Sequence, residues 1–162
     1  MITLVERIVV GANTQNQDFA ATIAGDTDRG YTIRAYLENG TASGANVNVR
    51  LNGATAVLTQ RQFLSANNTT ISGGRAASNV ISAIPGSSTV TLEVEIPKSD
   101  TGDARHLWVT EARDVGASIS DNHWAAAITT PAVGTEITSA GIGTDVANSI
   151  GAGSILELWK WS

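Results

Sequence analysis

Along residues 88–96 hydrophobic and polar positions alternate without a break, with Val90, Leu92, Val94 and Ile96 on one parity and Thr89, Thr91, Glu93 and Glu95 on the other. This predicts a strand with one face on a core and one in water. Pro85-Gly86 marks a turn before it, and Pro97 after it brings no backbone N–H to a ladder. Tyr31, Ile33, Ala35 and Leu37 alternate in the same way with Thr32, Arg34, Tyr36 and Glu38. That second strand ends at Asn39-Gly40, a dipeptide that often closes hairpins because both residues accept positive φ. Asn52-Gly53 recurs between 47–51 and 54–59 and predicts a hairpin there. Residues 106–113 return as the partner of 88–96, and Ile155–Trp161 closes the chain as a strand.

Other stretches are less regular. Residues 19–24 suggest a short strand ahead of the turn Gly25-Asp26-Thr27-Asp28-Arg29-Gly30. Residues 60–79 suggest a long connection with at most a short strand around 69–72, of a length often used for partner contacts. From 114 to 153 small residues dominate, and Pro131 with several glycines argues against a long helix. Eight to ten short strands separated by turns predict an all-β, single-domain antiparallel β-sandwich or jelly roll, with a β-barrel as the main alternative. At 162 residues, 1–162 suits one domain, with 1–10 as a docking arm or terminal strand.

Charge and composition narrow the partners. Charged residues make up only 15% of the chain and the net charge is −5. The ten basic residues, two of them lysines, are scattered singly, so the basic patch that a nucleic acid backbone requires is missing. No apolar run approaches the ~20 residues of a membrane-spanning helix. The start Met1-Ile2-Thr3-Leu4-Val5-Glu6-Arg7 lacks the basic and long apolar regions of a secretion signal, so a product made in the cytoplasm is expected. There is no cysteine, which removes disulfides and thiolate metal sites.

Candidate chemistry is sparse. Asp26-Thr27-Asp28-Arg29-Gly30 resembles the first half of a calcium loop but lacks a third oxygen ligand and a glutamate at the twelfth position. A capped turn is the simpler reading, for it and for Asp100-Thr101-Gly102-Asp103. Two histidines, His106 and His123, are too few for a three-histidine zinc site, and no Gly-x-Ser-x-Gly elbow accompanies them. The glycine pairs Gly141/Gly143 and Gly151/Gly153 lack a dinucleotide fingerprint and read as loops where backbones pass closely. Asn67-Asn68-Thr69-Thr70 holds two overlapping glycosylation acceptors that read as turn residues. No catalytic residue, metal site or cofactor is expected.

The two chain ends carry the remaining signal. Ile2, Leu4, Ile8 and Val10 share one parity of the first strand and Val5 and Val9 the other, while Trp159 and Trp161 lie opposite Leu156 and Leu158 in the last. Strands apolar on both faces want cover on both. The first reads either as a central sandwich strand or docked arm, or as a contact with another molecule. Leu4, Val5, Val9, Trp159 and Trp161 are accordingly the candidate interface residues.

In overall character, carried by residues 1–10, the hairpin at 47–58 and Ile155–Trp161, the chain resembles the small β-domain proteins that decorate or cement tailed-phage capsids. The resemblance implies a non-enzymatic virion component, often a homotrimer, that binds the capsid protein from outside and stabilises the shell. Neither nucleic acid nor membrane would be its partner. A carbohydrate- or receptor-binding module of a phage tail or fibre is the alternative, and exposed aromatics in a shallow groove would mark it.

Overall fold

The structure, a computed structural model, describes residues 1–25, 27–67, 70–76, 79–98, 105–114, 119–130 and 135–162. Among the described residues there are thirteen strands and no helix. They are β1 (Ile2–Val9), β2 (Asn16–Asp18), β3 (Gly30–Glu38), β4 (Ala45–Leu51), β5 (Ala54–Thr55), β6 (Val57–Asn67), β7 (Thr70–Ala76), β8 (Ser82–Ile84), β9 (Thr89–Pro97), β10 (Arg105–Asp114), β11 (Ile119–Thr130), β12 (Ala140–Thr144) and β13 (Ile155–Trp161). Eight form one antiparallel sheet in the order β1-β13-β3-β9-β10-β11-β6-β7. The second sheet runs β2-β12-β4-β5, with β8 paired to the start of β4. β1 and β7 end the large sheet without pairing to each other, so the architecture is an open antiparallel sandwich and not a barrel.

The strands at 88–96 and 31–37 sit where their alternation requires. β3 lies beside β9, with Ile33 opposite Val94 and Ala35 opposite Leu92, and Val109 of β10 continues the row from Val94. Leu156 and Leu158 of β13 complete this inner face. Val47, Val49 and Leu51 of β4 and Ile142 of β12 close the core from the second sheet, joined by Phe19, Ile23, Ile137 and Ile150 from the connections. Burying one such side chain stabilises the fold by roughly 1.5–3 kcal/mol relative to leaving it in water.

The Asn52-Gly53 hairpin is present, with φ of 52° and 74° at its two central residues, as a type I′ turn demands. Its second arm, β5, has only two residues, after which the chain crosses to the large sheet as β6. Asn39-Gly40 behaves differently. Asn39 does not take a positive φ, and β3 and β4 on either side of it lie in different sheets. Its side chain instead bridges the corner: Nδ2 donates to the carbonyls of Ser43, Ile84 and Pro85, and Oδ1 accepts from the Thr41 N–H and hydroxyl.

Three further expectations are corrected. Residues 60–79 are not a long connection: most form β6 and β7, paired from Arg61–Ala76 to Asn67–Thr70. β6, between β11 and β7, and β7, at the sheet edge, lack the apolar alternation by which a strand is recognised. Residues 19–24 are not a strand, since the pairing segment is the polar β2 just before them, and Phe19 and Ile23 instead enter the core. The stretch 114–153 contains β11 and β12, and Gly141 and Gly143 belong to β12, not to a loop. Their role in close packing is nonetheless real, because a Cβ on Gly141 would come within 2.3 Å of Asp18 Oδ1 and 2.6 Å of Gln17 O.

Candidate interaction surface

The sequence of β1 reads either as a covered central strand or docked arm, or as a contact with another molecule. The structure places it at the edge of the large sheet, paired only with β13 among the described residues. The register shifts between Leu4 and Glu6, leaving Val5 as the extra residue of a bulge. A bulge reverses the parity of everything beyond it. Ile2 and Leu4 therefore stand opposite Trp161 and Trp159 on the outer face, whereas Glu6 and Ile8 stand opposite Leu158 and Leu156 on the inner face. The carboxylate of Glu6 accepts the Ala21 backbone N–H at 2.7 Å. Ile2 is 52% exposed, Leu4 42%, Val5 40% and Val9 62%.

Trp159 and Trp161 share the outer face of β13, as their spacing indicates, and both are half-buried. Trp161 lies against the backbone of Gly30, where a Cβ would meet its ring at 2.7 Å, and its indole N–H donates to Thr32 Oγ1 at 2.7 Å. Trp159 donates to Glu157 Oε2 at 3.1 Å, and the Arg34 guanidinium stands 5.4 Å from its ring centroid. Arg34 in turn pairs with Glu93 Oε2 at 2.6 Å. All five candidate residues thus lie in two adjacent strands. The structure leaves four apolar side chains of β1 in water beside a partly covered tryptophan pair.

The chain matches no family model and no curated protein.

Outside the five candidates, the outer face holds residues that the sequence reading did not single out. Trp108 is 52% exposed, and Tyr36 and Leu64 are exposed as well. Trp108 pairs with Glu95, Glu95 with Thr32 and Thr32 with Trp159, so the two tryptophans occupy one row across four strands. The signal was available in the alternation of β10, where Leu107 and Val109 claim the core and Trp108 must face outward.

The calcium-like turn is engaged elsewhere. Asp28 accepts from Lys160 Nζ at 2.6 Å and from the Tyr31 hydroxyl, which itself accepts the Ala24 N–H at 3.1 Å. The Lys160 ammonium, and after it the Tyr31 hydroxyl, hold the Asp28 carboxyl below the usual carboxylate range. Burial first, and the bond to Asp28 second, push the Tyr31 phenol up, and the same carboxylate pushes Lys160 up. This cluster fastens the end of β13 to the turn entering β3. Asp26 and the segment containing Asp100 and Asp103 lie outside the described residues, as do Asn68 and Thr69 of the glycosylation-like tract. His106 is exposed on β10, and the backbone of His123 sits opposite Thr110 and Leu64. Among the described residues no three His, Asp or Glu side chains gather in a way that could hold a metal ion.

Proposed function

We propose that this protein is a non-enzymatic virion structural subunit that binds the outside of a phage capsid as a decoration or cement protein and associates with copies of itself. The observation that supports this reading is the β1 edge, an eight-residue strand with apolar side chains in water on both sides of its bulge. An exposed apolar edge is a template for pairing with another chain, and proteins that remain monomeric blunt such edges with lysine, proline or a covering loop. Here Arg7 carries the outward charge of the strand and is drawn back toward Glu157 at 3.7 Å, an exposed pair worth little by itself. Covering β1 with another subunit removes apolar area from water at ~25 cal/mol per Å², part of which is consumed by ordering the partners.

Val9→Asp places a charge on this edge without touching the core. The wild type is expected to form a discrete oligomer in sedimentation velocity and to pellet with phage shells. Val9→Asp should sediment as a folded monomer and stay in the supernatant. A wild type that remains monomeric and does not bind shells, or a variant that assembles unchanged, would overturn the reading.

A further inference from the structure

We propose that the outer face of the eight-stranded sheet around Trp108 is a binding site for a neutral oligosaccharide. This surface is separate from the β1 edge, since β13, β3 and β9 lie between β1 and β10. On the same face, a shallow depression of about 190 Å³ is lined by Arg34, Thr91, Leu92, Glu93, Thr110 and Ala112. Thr110 is one same-face step from Trp108 along β10, about 7 Å away at the strand rise. Trp159 stands three strands from Trp108 in the same row, about 14 Å away at the usual interstrand spacing.

The chemistry fits a sugar better than other ligands of this size. A pyranose ring has an apolar C–H face that lies flat on an indole, and a rim of hydroxyls that both donate and accept. Trp108 supplies the platform, the Glu93 and Glu95 carboxylates supply acceptors, and the Arg34 guanidinium supplies donors in a fixed fork. Arg34 is already fixed between the Glu93 carboxylate and the Trp159 ring, so the guanidinium donors and the Glu93 acceptor are held in place before any ligand arrives. Charge selects the class of sugar. Arg34 is balanced by Glu93 and Glu157 by Arg7, which leaves Glu95, opposite Trp108, as further negative charge, so sulfated, uronic or sialylated glycans are repelled. A protein partner would call for a contact centre depleted of charge, whereas here carboxylates alternate with the aromatic rings.

The test is titration of the isolated protein with cellohexaose, maltohexaose and chitohexaose, followed by tryptophan fluorescence and calorimetry, with heparin-derived hexasaccharide as the anionic control. At least one neutral hexasaccharide should bind saturably, and the anionic control should bind at least about tenfold more weakly. Trp108→Ala should weaken binding about tenfold or more, while Trp108→Phe keeps it within about threefold because a flat apolar ring remains. Arg34→Gln gives a second variant at a separate strand and should also weaken binding. Absence of saturable binding to all three neutral sugars, equal binding by Trp108→Ala, or preference for the anionic hexasaccharide would each overturn the proposal. Sedimentation of the same variants with shells should be unchanged, which separates failure here from failure of the assembly reading.

Discussion

The two faces of the eight-stranded sheet are made by the same strands from alternate residues, yet they are finished in opposite ways. On the inner face Ile33, Val94, Val109 and Leu158 are sealed by the second sheet. On the outer face Trp159, Arg34 and Glu93 are held together by side-chain contacts and Trp108 stands exposed in the row of Trp159, with no second layer of described residues over them. Stability therefore resides on the inner face, while the recognition proposed above would use the outer one. β1 belongs fully to neither, because its bulge divides the apolar residues between the two.

The sharpest way to break this contrast is to truncate one side chain on each face. Leu158→Ala, on the inner face, should cost about 2–5 kcal/mol in chemical denaturation, the range for opening a cavity that neighbours only partly fill. A smaller effect is expected at the end of β13. The folded Asp28 carboxyl lies below its unfolded value, so its contribution is fully present above about pH 4 and is lost as pH falls through the folded value. Lys160 and Tyr31 are shifted up, so theirs is present below about pH 10 and is lost as pH rises through their folded values. Asp28→Asn should flatten the acid limb of a stability–pH curve measured by thermal melting and reduce the alkaline limb by the Lys160 part, leaving the part that burial of Tyr31 contributes, and unchanged limbs would mean the cluster does not fasten β13. Smallest of all, Trp108→Ala should shift stability by no more than about 0.5 kcal/mol, as surface substitutions do. A loss comparable to that of Leu158→Ala would mean the outer face is a second core.

The strands that bury one face were legible in the sequence because their alternation is physical. Val90 to Ile96, Tyr31 to Leu37 and the Trp159/Trp161 pair all lie on the faces that parity assigned to them. The positive φ values of Asn52 and Gly53 likewise followed from a turn chemistry that acts over four residues. What could not be read was long-range. Asn39-Gly40 has the same composition as Asn52-Gly53, but the corner it occupies is decided by carbonyls of Ile84 and Pro85 far along the chain. β6 and β7 are strands because neighbours pair with them, and their residues carry little of the pattern that would announce it. The bulge at Val5 is another such case. Simple alternation grouped Ile2 and Leu4 with Ile8, and only the register against β13 separates them. Of the surface proposed for assembly, the residue types were visible in advance, but the edge position that exposes them was not.

Hydrogen exchange along residues 2–9, compared between dilute protein and protein bound to shells, tests most directly whether another chain covers this edge. The amides of β1 should slow markedly on assembly while those beside Trp108 on β10 stay as they were. Unaltered exchange along β1 in particles that demonstrably carry the protein would contradict the account.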